Sequence, residues 1–382
     1  MKIPKNILSF ILLISSLTVN SQDKPTTPFR DDLTKPEVKN VLKAVADWQI
    51  KTPLIHHTAD WTNAALYAGM VQWAGISGDD SYFEWLKEKA DQNSWSYKQP
   101  DEPLNRYHAD DYCVGQVYIE LYRKYGDENM IKPVRDHLDN ILKDPAKGDL
   151  EFVYTDKYWP TQRWAWCDAL FMGPTVWTKM ANVTGDKKYL DFMYEEYKAT
   201  TDYLYDKTEH LYYRDSRYFN MREANGSKVF WGRGNGWVLA GLPVILRELP
   251  AKYENKDYFV KIYKDMAAKI LTLQAMDGFW HASLLDPASY PNPEMSATAF
   301  FVYGFAWGIN NGYLDRETYL PAVVKGWKSM VSAVSPDGKV GFIQPIGADP
   351  KAVTRDMTEV YGVGGFLMAG TEITKLIDNG IL

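Results

Sequence analysis

The chain has 382 residues, 46% hydrophobic and 24% charged, which is enough for a large core and too apolar for bulk disorder. Its net charge is −6 and its pI is near 5.6, which argues against nucleic acid or an anionic membrane as main partner. A local basic pocket for a small acidic substrate remains compatible with that balance. The 14 tryptophans and 26 tyrosines pack cores well, and their flat faces also suit stacking on sugar rings.

At the N-terminus, Lys2 and Lys5 precede an apolar run from Ile7 to Val19, and Ser21 follows. This reads as a secretory signal peptide over 1–21, leaving 22–382 as a single domain, periplasmic or secreted. The run is short for a membrane span, and no later segment suggests one. Cys113 and Cys167 do not make a disulfide framework and read as buried free thiols.

Helical periodicity predicts twelve helices, over 37–51, 60–75, 80–93, 108–125, 128–143, 164–183, 187–205, 231–249, 256–274, 295–310, 316–333 and 357–378. A Gly-Asp type of turn recurs between them, at Gly78-Asp79, Gly126-Asp127 and Gly185-Asp186, with looser versions at Asn255 and Gly312. The glycine would end one helix and the aspartate would cap the next. The even-numbered helices are rich in small residues and apolar on most faces, whereas the odd-numbered ones carry charged faces. Buried and polar helices in alternation imply an all-α fold with two concentric rings, an (α/α)6 barrel, with a solenoid as the other arrangement. The runs LYYRDSRYF and GKVGFIQPI read as short hairpins in loops. No Pro- or Ser-rich linker divides the chain.

In such a barrel the N-terminal ends of the inner helices converge at one mouth. Here those ends carry Asp60-Trp61, His108-Ala109-Asp110-Asp111, Trp164-Ala165-Trp166-Cys167-Asp168, Trp231 to Trp237, Glu294 and Glu359. An acidic residue at a helix start is commonly a cap, and Asp60 and Glu359 fit that role. Asp168 differs, because the residues around it are apolar. A carboxyl group in a dry setting binds its proton more tightly and can act as a general acid. Of Asp110 and Asp111, one could cap while the other faces the pocket. A second carboxylate beside Asp168 would complete an acid–base pair.

The segment WGRGNGW lacks phosphate-loop spacing, and no strand precedes it. It reads instead as a tight approach that presents Arg233 between Trp231 and Trp237, with the guanidinium as bidentate partner for a carboxylate. An acidic sugar ring would fit such a place. The six histidines show no metal-ligand spacing, and no nucleophile elbow occurs, so neither a metal nor another cofactor is implied.

HADDYCVGQVYIELYRKYGD, WAWCDALFMGPTVW, VFWGRGNGWVLAGL and TEVYGVGGFLMAG together resemble glycoside hydrolase family 105, the unsaturated rhamnogalacturonyl and related uronyl hydrolases. The similarity runs from about residue 35 to the end and implies an (α/α)6 barrel without a metal. It also implies removal of a non-reducing-end 4,5-unsaturated uronic acid by hydration of its double bond. On this resemblance Asp168 is the catalytic acid and Asp110 the second carboxylate, with Asp111 as fallback. Trp166, Trp231, Arg233 and Trp237 match substrate contacts. Many members carry a histidine where this chain has Arg214, and a second arginine at the mouth would serve a further anionic group. Sulfate on a neighbouring rhamnose, as in ulvan fragments, is such a group. The expected partner is an acidic oligosaccharide, with no nucleic acid and no membrane, and the protein acts as a monomer or weak homo-oligomer. Two other readings stay open: a conventional inverting glycosidase on the same barrel, and a non-catalytic carbohydrate-binding protein.

Overall fold

A computed structural model describes residues 27–97, 107–153 and 163–382. The expected signal peptide at 1–21 lies outside the described residues.

The helices are α1 (Lys35–Lys51), α2 (Trp61–Ser77), α3 (Ser81–Gln92), α4 (Ala109–Tyr112), α5 (Gly115–Tyr125), α6 (Lys132–Lys143), α7 (Ala169–Met172), α8 (Pro174–Thr184), α9 (Lys188–Leu204), α10 (Gly232–Glu248), α11 (Lys256–Leu271), α12 (Met295–Asn310), α13 (Arg316–Ser332) and α14 (Val360–Asp378). The twelve expected helices are present, but the fourth and sixth are each broken. A four-residue turn of helix, α4 or α7, precedes the main helix α5 or α8. At the second break Pro174 starts α8, where its missing N–H costs nothing.

The recurring turn does what its chemistry requires. Gly78, Gly126 and Gly185 end helices at φ of 81°, 77° and 70°, a region that glycine enters without penalty. The next aspartate then accepts from the backbone two residues on: Asp79 from Ser81 N, Asp127 from Asn129 N, and Asp186 from Lys188 N.

Helices α2, α5, α8, α10, α12 and α14 pack each on the next, and α14 returns to α2. That closure makes the arrangement an (α/α)6 barrel and rules out an open solenoid. The inner helices are buried nearly all round; in α12 every residue from Met295 to Ile309 is buried. The outer helices bury one stripe, as with Val134, His137, Leu138 and Ile141 of α6. Small residues let inner backbones touch: a Cβ at Gly69 of α2 would lie 2.1 Å from the Gly364 carbonyl oxygen of α14.

The run 211–219 does not fold on itself as expected: its first residues, β2 (Leu211–Tyr212), pair antiparallel with β1 (Tyr205–Asp206) before it, and Ser216–Tyr218 form a 3-10 turn. The other is reduced to a single bridge between Val334 and Val340. Both cysteines are buried and free. Among the described residues no helix is long and apolar enough to cross a membrane.

Candidate active site

At the end of the barrel where the inner helices begin lies a cavity of about 400 Å³. That is within the range of about 300–1,000 Å³ common for small-ligand sites. Its wall contains Asp60, Asp110, Asp111, Asp168, Arg214, Arg233, His108, Trp61, Trp166 and Trp231, closed at the rim by Ile346, Gly347 and Ala348.

Asp168 stands immediately before α7, with 8% of its surface exposed. Burial raises its proton affinity, and the guanidinium groups of Arg214 and Arg233 pull it partly back. The net direction is upward, so the carboxyl stays a usable acid. Asp110 and Asp111 both sit on α4 and both reach the cavity, so neither is the spare cap that the sequence allowed. Burial and then the neighbouring charges of Asp111 and Asp168 push Asp110 well above the usual carboxylate range. Its Oδ1 is buried and lacks a hydrogen-bond partner. Two carboxyl groups with raised proton affinity therefore share one cavity, as is common at functional sites.

His108 was not among the expected site residues. Its ring lies on Trp166 with centroids 4.6 Å apart. Burial, with the nearby positive charge of Arg214, pushes its pKa down to about 3, so the ring is neutral near pH 7. Trp61, likewise placed at the mouth by the sequence but given no role there, stacks on Tyr361 at 5.5 Å. Both stand beside residues that the sequence had singled out. The Ile346–Ala348 rim had no sequence signal, because a loop distant in the chain supplies it.

Arg214 follows β2, and WGRGNGW fixes its place. Asn235 is fully buried; its Oδ1 accepts from Tyr212 N at 2.8 Å and its Nδ2 donates to Tyr212 O at 3.1 Å. The Arg214 carbonyl then accepts from Cys167 N at 2.8 Å, tying the loop to the residue before Asp168. The Arg214 Nε lies 3.6 Å from Asp168 Oδ2.

Two expectations need correction. Trp237 does not line the cavity. It is fully buried behind the wall, packed on Phe300 at 4.4 Å, Phe171 at 4.9 Å and edge-on to Trp61 at 6.2 Å. Six residues beyond Trp231 it has turned to the α10 face that meets α12. Arg233 does line the cavity, but its terminal nitrogens donate to the carbonyls of Gln344 and Pro345. Sandwiched between Trp231 at 4.4 Å and Tyr361 at 4.8 Å, it anchors the rim loop and lends its charge, while its buried Nε has no hydrogen-bond partner. Arg214 lines the cavity as expected, 7% exposed and beside Asp168.

The other acidic helix starts are structural or peripheral. Glu294 is fully buried and accepts from Ser296 N, Ala297 N and Gln344 N. Asp60 caps α2 by accepting from Thr62 N while also lining the cavity. Glu359 pairs with His56 at 3.3 Å, outside the wall. Among the described residues no group of three or more His, Cys, Asp or Glu is placed to hold a metal ion.

Two relatives, each named unsaturated 3S-rhamnoglycuronyl hydrolase, are similar along most of their length. The protein from Alteromonas sp. (strain LOR) is 36% identical, covering 88% of this chain and 85% of its own. The one from Formosa agariphila is 38% identical, covering 90% and 92%. A solved structure described as a glycosyl hydrolase family 88 protein from Bacteroides vulgatus superposes with a TM-score of 0.81 at 30% identity, over 89% of this chain and 99% of that one. Another at the same TM-score and 32% identity, over 90% and 98%, is described as a polysaccharide lyase. The profile of Glycosyl Hydrolase Family 88 matches residues 33–377, and with it the barrel and its carboxylate-lined mouth place this chain in that family, as a glycoside hydrolase.

Proposed function

We propose that the enzyme removes a 4,5-unsaturated uronic acid from the non-reducing end of lyase-generated oligosaccharides, with Asp168 as proton donor. The observation that carries this reading is a carboxyl group held buried and protonatable within a cavity that also offers positive charge from Arg214 and Arg233. The double bond of such a substrate is an enol ether. Asp168 donates its proton to C4, and the positive charge that develops at C5 and the ring oxygen is met by water. The Asp168 carboxylate takes a proton from that water as it adds to C5. The resulting hemiketal opens and releases the remaining sugar. Asp110 and Asp111 hold hydroxyl groups and the water, Trp166 faces the ring, and the charge of Arg214 favours the uronate carboxylate.

The sugar next to the uronate is a 3-sulfated rhamnose, as in ulvan fragments. The names of both curated relatives support this, as does the rim. Ile346 is 51% exposed at the cavity mouth, an apolar side chain where the methyl group of a 6-deoxy sugar would rest. The Lys2, Lys5 and Ile7–Val19 pattern supports export to the periplasm or beyond.

The test is optical. Lyase digests of ulvan and of rhamnogalacturonan are incubated with the enzyme, and the ultraviolet band of the conjugated double bond is followed. The band falls during turnover of the ulvan digest, and Asp168→Asn slows that fall by at least about 10²–10⁴-fold. Cleavage with the band intact would instead mean an inverting glycosidase, a rising band on intact polysaccharide a lyase, and unchanged activity in Asp168→Asn a different catalytic group.

A further inference from the structure

Asp215 does not line the cavity, and no step of the proposed reaction uses it. It is nevertheless fully buried, as part of a row of charges that ends at the proton donor. Its Oδ2 accepts from Arg214 Nη1 at 2.7 Å and from Arg217 Nη2 at 2.8 Å, and its Oδ1 accepts from Arg217 Nε at 2.8 Å. Oδ1 also accepts from Arg217 N at 3.0 Å, capping the turn at Ser216–Tyr218 and fixing the carboxylate to its own backbone. Both guanidiniums lie over the Phe152 ring, at 5.0 Å for Arg214 and 4.2 Å for Arg217. The row reads Arg217, Asp215, Arg214, Asp168, with signs in alternation. At its far end the Arg214 Nε is buried without a hydrogen-bond partner, 3.6 Å from Asp168 Oδ2.

That last distance is the telling one. Arginine left to itself forms two parallel hydrogen bonds with a carboxylate. Here Asp215 occupies the far edge of the guanidinium and holds the near edge just out of bonding range of Asp168. We propose that Asp215 is a positioning residue: it restrains Arg214 and offsets its charge, so that Asp168 retains a proton to donate. The proposal rests on Asp168 being the donor. Other charged and titratable groups face Asp168 from the surrounding elements, His108 of the same cavity wall among them. Arg233 comes from α10, the Cys167 thiol from its own segment, Asp110 and Asp111 from α4, and Asp60 from the start of α2. The Cys167 thiol also feels the charge of Asp215, but the chain of direct contacts from Asp215 to Asp168 runs through Arg214.

The experiment is the pH profile of kcat/KM in three variants, with thermal unfolding as the check on folding. Loss of the proton from Asp168 sets the alkaline limb. Asp215→Asn removes a negative charge and frees Arg214 to bond Asp168, so the limb moves to lower pH by about one unit, a roughly tenfold loss at a fixed pH above it. Arg217→Gln removes a positive charge and leaves Asp215 wholly to Arg214, so the limb moves to higher pH. That shift is smaller, because the Arg217 side chain is 41% exposed and screened by solvent. A purely structural role would lower activity in both variants and leave the limb in place. Opposite shifts support the proposal; an unmoved limb, or shifts of the same sign, overturns it. Should Asp215→Asn not fold, the upward shift in Arg217→Gln decides alone. Asp168→Asn, run alongside, separates the two ideas: if it stays active the proton-donor reading fails, and if it is dead while the limb stays fixed only the role of Asp215 fails.

Discussion

Asn235→Ala is the most informative single change outside the carboxylates proposed as catalytic. The side chain makes three hydrogen bonds, two to the backbone of Tyr212 and one, at 3.1 Å, to the Trp231 carbonyl. Tyr212 is fully buried, so its N–H and C=O both lose their partner away from solvent. An unsatisfied buried group costs about 1–3 kcal/mol, which sets the expected loss at about 2–6 kcal/mol, toward the low end if a water molecule enters the vacated space. Function should suffer separately. Tyr212 is two residues from Arg214, and release of this clamp lets the guanidinium drift from its position beside Asp168. Equilibrium unfolding in urea measures the first effect, and kcat/KM on an unsaturated oligosaccharide, under conditions where the variant is folded, measures the second. A variant that loses less than about 1 kcal/mol and keeps full activity would refute the clamp, and with it the role of the asparagine in WGRGNGW.

Two further pairs of variants test the placement of residues that look alike in the sequence. Trp166→Ala removes a ring from the cavity wall and raises KM several-fold, whereas Trp237→Phe lowers the unfolding midpoint and leaves KM unchanged; a KM effect at Trp237 would place it back in contact with substrate. Gly69→Ala drives a methyl group into the Gly364 carbonyl and destabilises by about 1–3 kcal/mol or more, whereas Gly75→Ala in the same helix meets nothing within 4 Å and gains up to about 1 kcal/mol. Equal effects at Gly69 and Gly75 in thermal unfolding would contradict the close crossing of α2 and α14.

The carboxylates were legible because they stand at or just before the starts of inner helices, whose opposite ends the Gly-Asp turns mark. Asp168 stood out by its apolar neighbours, which is the same physics that raises its proton affinity in the fold. Arg214 was found by its departure from a resemblance, and it lines the cavity. A residue's number says nothing about how deep its side chain lies, and the charge that offsets it, Asp215, looks like any loop aspartate. Trp231 and Trp237 frame one motif, but six residues of helix carry them to different faces. Arg233 was legible as a cavity residue and not as an anchor, since the carbonyls it holds belong to a loop more than a hundred residues away.

Local chemistry therefore settled the elements: amphipathic stripes, glycine-ended helices, capping aspartates and the alternation of buried with polar helices follow from residue order alone. Closure of the ring from α14 onto α2, the rim built around Ile346 and the row of charges from Arg217 to Asp168 had to await the folded chain. Each depends on side chains far apart in sequence whose interaction energies exist only once burial has removed the water between them.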